Sequence, residues 1–260
     1  MRELRLRKLQ EVVERNGSVE VESIAAELDV SRETIRRDLG ALADKGLVVR
    51  TRGGATALST SLTELDLALR STEQLAGKRA IARYVARHLV EDGMSIGLDT
   101  GTTTTEIARA LRGRKVTVVT PSLPAINELA ASDTTVIVVG GHLRGQSMAT
   151  VGPIAELVTR QFQCDLAFLS GPALSAEVGL MDTDLDGIAV KQGMLAHARH
   201  VYAVLDHTKL ERAAFAKVCS LDALTGLVTD DGADRTSLQS YNESGLDVLV
   251  APRPTNGNER

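Results

Sequence analysis

The chain of 260 residues has no tryptophan, three phenylalanines, three tyrosines and two cysteines. Without large rings, a core must be filled by small aliphatic side chains, here mostly alanine, valine and leucine. Cys164 and Cys219 are far apart and lack metal-ligand spacing, which excludes a disulfide framework and a zinc site. They read as small buried apolar residues in a reducing compartment. The five histidines show no HExxH pattern, so neither a metal nor another cofactor is expected. No apolar run could span a bilayer, and the start does not resemble a secretory leader. A cytoplasmic protein with no membrane partner is therefore expected. The net charge of −4 argues against a polyanion-binding surface over the whole molecule. Any contact with nucleic acid must be local.

One stretch is locally basic. From Val30 to Ala55 the chain reads VSRETIRRDLGALADKGLVVRTRGGA. Ser31 is a good N-cap, and Val30 with Ile35 has the spacing of a hydrophobic staple. Ile35, Leu39 and Leu42 form a buried stripe at helical period. Glu33 and Arg37 then point away from that stripe, with Arg32 and Arg36 on its flank. An arginine-bearing helix is often only a solvated face, and this one also carries Glu33, Asp38 and Asp44. Its context favours DNA. Upstream, Leu6, Leu9, Val12 and Val13 form one helical stripe ending at Asn16-Gly17. A second short helix follows with Val21, Ile24, Ala25 and Leu28 apolar. Downstream, Leu47 to Gly54 has β-branched residues and a glycine turn, and its only charges are Arg50 and Arg52. Two helices joined by a tight turn and followed by a small ribbon make a winged helix-turn-helix. Arg36 and Arg37 are expected to contact bases or phosphates, with Arg32 and Glu33 as further base readers. Arg50 and Arg52 would meet the DNA backbone or a minor groove.

Beyond this head, over residues 1–56, the segment 57–76 reads as a linker with a short helix between Leu62 and Arg70. From Lys78 a helical pattern runs to Gly93. Apolar runs then alternate with helical patterns: Ser95–Leu98, Val116–Val119, Val136–Val139, Leu166–Leu169, Val201–Leu205, Leu224–Val228 and Leu246–Val250. Near-continuous hydrophobic strands alternating with helices predict an α/β domain over residues 77–251, with a mostly parallel sheet covered on both faces. Residues 252–260 read as a disordered tail. Ligands of such sheets bind at the carboxyl ends of the strands. The first such end is Leu98-Asp99-Thr100-Gly101-Thr102-Thr103-Thr104-Thr105. Gly101 permits a tight turn, and threonine hydroxyls with N–H groups at a helix N-terminus can cradle an anion. A threonine run can equally do no more than cap the helix, and spacing alone leaves both readings open.

The string Ser31-x-x-Thr34-Ile35-Arg36-Arg37-Asp38-Leu39, followed by Gly46-Leu47 and Arg52-Gly53-Gly54-Ala55, resembles the DeoR-type family of bacterial transcriptional regulators. The resemblance covers nearly the whole chain. It implies a sensor domain with the fold of ribose-5-phosphate isomerase and glucosamine-6-phosphate deaminase, in which the loop matching Asp99, Gly101, Thr102, Thr103 and Thr104 holds a sugar phosphate. It further implies effector contacts from Ser122 in Thr120-Pro121-Ser122, from Gly141 in Gly140-Gly141-His142-Leu143-Arg144, from Lys191 in Val190-Lys191, and from Lys209 in Asp206-His207-Thr208-Lys209. Three positions depart from the family. Pro121 replaces an asparagine, Phe168 to Ala173 replaces a glycine-rich loop, and Gly187-Ile188 replaces Glu-Ala. The implied function is a repressor of sugar or related metabolism. Its partners would be double-stranded operator DNA and a phosphorylated sugar-like effector, and it would act as a homodimer or homotetramer. Two rivals stand beside it: an isomerase or deaminase of sugar phosphates with an accessory DNA-binding domain, and a binding protein answering to a protein partner.

Overall fold

The computed structural model describes residues 2–16, 18–44, 48–50, 53–57 and 67–253. Gly17, Leu47, Arg52, the segment 58–66 and the tail 254–260 lie outside them, so the expectations that rest on those positions have no structural counterpart.

The head runs α1 (Arg2–Asn16), β1 (Ser18–Glu20), α2 (Val21–Glu27), α3 (Arg32–Asp44), β2 (Val48–Arg50) and β3 (Gly54–Ala57). Leu9, Val12, Val13, Ile24, Ile35, Leu39, Leu42 and Ala55 close one small core, as the helical stripes require. The wing is present as β2 paired antiparallel to β3. Its third strand was not legible, because β1 has only three residues. It pairs with the far side of β3 so closely that a Cβ on Gly54 would lie 1.8 Å from the Val19 carbonyl oxygen. Only glycine fits there. Asp38 is also a correction: it is not a surface charge but is buried, accepting from Arg5 Nε at 2.6 Å.

The larger part runs α4 (Leu67–Thr72), α5 (Leu75–His88), β4 (Ser95–Leu98), α6 (Thr102–Ala110), β5 (Thr117–Thr120), α7 (Leu123–Leu129), β6 (Thr135–Val138), β7 (His142–Arg144), β8 (Ala149–Val151) and α8 (Pro153–Thr159). It continues with β9 (Cys164–Leu169), β10 (Ala173–Ser175), β11 (Gly179–Asp182), α9 (Leu185–Ala196), β12 (Ala198–Val204), β13 (Ala216–Cys219), β14 (Gly226–Asp230), α10 (Arg235–Glu243) and β15 (Asp247–Ala251). Seven strands form one sheet in the order β15-β14-β12-β9-β4-β5-β6, with every pairing parallel. These are the seven apolar runs of the sequence.

Alternate residues face opposite layers, as the two-residue period of a strand demands. Ile96, Leu98, Val118, Phe168, Val204 and Val228 pack under α5, α6 and α7. Val119, Ala167, Leu169, Ala203 and Leu227 pack with Ala155, Ile188, Met194 and Tyr241 on the other side. Each fully buried Leu, Ile or Phe contributes about 1.5–3 kcal/mol. The chain lays down β4, β5 and β6 toward one edge, then returns across β4 to place β9 on its other side. The carboxyl ends of β4 and β9 therefore flank the point where the winding reverses, the place where open α/β sheets bind ligands.

Three features differ from expectation. Helix α5 stops at His88 rather than Gly93, which instead makes the following turn at φ +90° and donates to the Lys115 carbonyl at 2.7 Å. Two small antiparallel units, β7–β8 and β10-β11-β13, accompany the main sheet. Helix α9 was missed because Gly187 and Gly193 weaken its helical signal. Gly193 is there for close packing: a Cβ would lie 2.6 Å from Thr159 Oγ1 on α8.

Candidate DNA-reading head and effector site

In the head, the Ser31 hydroxyl accepts the Thr34 N–H at 3.2 Å and meets its hydroxyl at 2.8 Å, so both residues are engaged in starting α3. With Ile35 and Leu39 anchored in the core, the opposite face is fully presented. Arg32, Glu33, Arg36 and Arg37 are all exposed. Glu33 stands 3.9 Å from Arg36 and 3.5 Å from Arg37, while Arg32 pairs with Glu22 of α2. Exposed pairs of this kind are worth less than about 1 kcal/mol. A phosphate or a guanine edge can therefore take the guanidinium groups over. Arg50 lies on β2, but its side chain, like all of Arg52, is outside the described residues.

At the switch point, Gly101 turns the chain at φ +144° to start α6. Its carbonyl accepts the hydroxyls of Thr104 at 3.0 Å and Thr105 at 2.7 Å. Thr103 and Thr104 are buried, whereas Thr100 and Thr102 are partly open. A side chain on Gly101 would meet Ser170 Oγ at 3.3 Å, since the loop after β9 packs directly over it. Asp99 ties the two loops together by accepting the Ser170 N–H at 2.9 Å. Lys191, from α9, joins them: its ammonium pairs with Asp99, donates to the Ser170 carbonyl at 2.7 Å and stands 3.3 Å from Asp182. Burial works to lower the Lys191 ammonium, but Asp99 and Asp182 outweigh it and hold it above its ordinary value.

Lys209 belongs to a neighbouring group. It follows β12 in a short 3-10 turn capped by Asp206, whose carboxylate accepts the Thr208 N–H at 3.1 Å. Burial pushes its ammonium below the ordinary value, against the pull of Asp206. Lys78 of α5 feels the same field and is lowered for the same reason. Its ammonium donates to the carbonyls of Arg70 at 2.5 Å and Glu73 at 2.6 Å. Arg212 completes the group, also lowered by burial. Lys78, Asp184 and Arg212 were not anticipated as parts of this region. A lysine one helical turn before Ile81, on the same face as Ile81 and Val85, was the available signal for Lys78.

Two expected site residues stand apart. Ser122 is buried and caps α7, accepting the Ala125 N–H at 3.3 Å. Gly141, at φ +152°, lets the β6–β7 turn approach α8, where a Cβ would lie 3.0 Å from that of Ala155. Both lie at the β5 and β6 ends, on the other side of β4 from Lys209. Among the described residues, no group of His, Cys, Asp and Glu could hold a metal ion.

Two family profiles match in tandem. Residues 5–61 match the DeoR-like helix-turn-helix domain, and residues 73–231 match the DeoR C terminal sensor domain. The chain belongs to the DeoR family. It is similar to the HTH-type transcriptional regulator GlpR of Haloferax volcanii, with 35% identity over 94% of this chain and 96% of that protein. The HTH-type transcriptional repressor CsqR of Escherichia coli is 31% identical over 92% of each. The lactose phosphotransferase system repressor of Staphylococcus aureus is 32% identical over 87% of this chain and 91% of its own. Among solved structures, ribose 5-phosphate isomerase A from Methanocaldococcus jannaschii aligns over 51% of this chain and 53% of its own, at TM-score 0.38 and 19% identity. DeoR-family proteins are DNA-binding transcriptional regulators rather than enzymes, which removes the isomerase and deaminase reading. No described helix of this DeoR-family regulator is long and apolar enough to cross a membrane.

Proposed function

We propose that this DeoR-family regulator represses genes of sugar metabolism and is released from its operator by a phosphorylated sugar. The head, residues 1–56, reads the major groove through Arg32, Glu33, Arg36 and Arg37, while Ser31 and Thr34 set the helix and Arg50 and Arg52 hold the wing to the backbone. Residues 57–76 act as the linker and 77–251 as the sensor. One observation carries the sensing reading: the threonine turn Asp99–Thr105 starts α6 at the switch point, with the buried Lys191 of α9 paired to Asp99, and the buried Lys78 of α5 and the half-buried Lys209 sharing the field of Asp206 at the end of β12. An N-terminal helix dipole, free N–H groups and nearby ammonium groups are the means by which a protein holds phosphate. Gly101, Thr102, Thr103 and Thr104 form the cradle, and Ser122 and Gly141 shape the adjoining strand ends.

Two half-sites a helical turn apart require two heads, so the acting species is a homodimer or homotetramer in the cytoplasm. Effector binding shifts the population toward an arrangement of heads that no longer matches the operator. The test is fluorescence anisotropy of the chain's own upstream DNA, titrated with sugar phosphates. Release by a phosphorylated sugar, but not by its free sugar, is expected. Retained DNA binding throughout a panel, without a thermal shift, would sink the proposal.

A further inference from the structure

A line of charges leads outward from Asp99, away from Lys209. Lys191 meets Asp99 and stands 3.3 Å from Asp182. Asp182 accepts the N–H of Thr183 at 2.6 Å and of Asp184 at 3.2 Å. The Asp184 carboxylate stands 3.2 Å from Arg144, at the tip of β7. Asp184 occupies the N-cap position of α9 without capping it through its side chain. It folds against Gly187, where a Cβ would lie 2.8 Å from Asp184 Oδ2. The glycine makes room for this carboxylate. Accessibility is 3% for the Lys191 side chain, 11% and 10% for Asp182 and Asp184, and 25% for Arg144 at the outer end.

The two flanks of the switch point thus differ in charge. On the β12 side, Lys78, Lys209, Arg212 and Arg70 share one field with Asp206 and Glu73, a net positive group. On the other side the β7–β8 hairpin is tied to the end of β5 by the bridge between Ser122 and Ala149. Along the line from Asp99 to that hairpin, Asp99, Asp182 and Asp184 outnumber Lys191 and Arg144. A phosphate belongs on the first flank. The second offers carboxylate acceptors and a forked donor side by side, suited to hydroxyl groups, and its net negative charge repels an anion.

We infer that Asp182, Asp184 and Arg144 read the end of the effector remote from its phosphate, admitting an uncharged, hydroxyl-bearing end and refusing a second anionic group. The inference rests on the phosphate-site reading above. Its test is calorimetric binding to the full chain of glucose 6-phosphate and of 6-phosphogluconate, which differ in a carboxylate at the far end, with inorganic phosphate as control. The sugar phosphate should bind at least tenfold more tightly. Asp184→Asn should shrink that ratio to under threefold, and Arg144→Gln should widen it. The Arg144 variant keeps the test decisive if Asp184→Asn fails to fold. Equal binding of both compounds, or a ratio that neither variant moves, overturns the inference while leaving the phosphate site standing. If none of the three compounds binds, the phosphate reading falls and this inference falls with it.

Discussion

Arg5 Nε lies 2.6 Å from Asp38 Oδ2, joining α1 to the buried back of the helix that presents Arg36 and Arg37. Asp38 is 1% exposed, so its charge requires a cationic partner. Asp38→Ala should destabilise the head by about 1.5–3 kcal/mol, the worth of a hydrogen bond to a charged group. Urea titration followed by loss of operator binding would measure it. Arg5→Ala with Asp38→Ala should cost less than the two separate losses added together, because the pair acts as a unit.

Arg36→Ala with Arg37→Ala should weaken operator binding on the order of 10- to 1,000-fold while leaving the melting temperature within a few degrees. Both side chains are exposed, and their pairing with Glu33 is solvent-screened. If they meet phosphates, the slope of log affinity against log salt should become shallower by about 0.9 for each phosphate no longer neutralised. An unchanged slope together with unchanged affinity would remove this helix as the reader.

Gly101→Ala should abolish effector binding before it unfolds the sensor. At φ +144° any side chain is strained, at a cost of about 1–3 kcal/mol. The added Cβ would also press on Ser170 Oγ, 3.3 Å away. DNA binding should persist and become insensitive to effector. An intact effector response in this variant would argue that the turn is only a helix cap.

Effector affinity should fall with rising pH earlier than an ordinary lysine would allow. Burial lowers Lys209 and Lys78, so each loses its proton below the usual value of about 10.4. A phosphate favours the charged form. Affinity is therefore greatest below the lowered values and is lost as pH climbs through them. Binding measured from pH 7 to 10 would show the decline, and Lys209→Met should flatten it.

Lys191→Met should destabilise the sensor even without effector, by about 3–5 kcal/mol, because it leaves Asp99 and Asp182 buried without their shared cation. Thermal melts should show this loss, and acidification should partly recover it by protonating the stranded carboxylates.

The main sheet was legible because each strand is a short, nearly continuous apolar run set between turns, and a buried parallel strand has no other way to look. The head was legible from its staple, stripe and arginines. What stayed hidden depended on close approach in three dimensions. Gly193 reads as a helix breaker until Thr159 is seen against it, and Asp38 reads as a surface charge until Arg5 arrives from α1. Gly187 reads as the loss of a carboxylate, yet the carboxylate of Asp184 lies against it. Spacing along a chain cannot report such substitutions in space.

The return of the chain across β4 also sets a timetable. The head's sheet closes with Ala57, whereas Asp99 waits for Ser170 and Lys191, and the basic flank for Lys209. At roughly 5–20 residues per second, the head precedes Lys209 by on the order of 10–30 s of synthesis. Every newborn copy therefore completes its reading surface some time before its sensor.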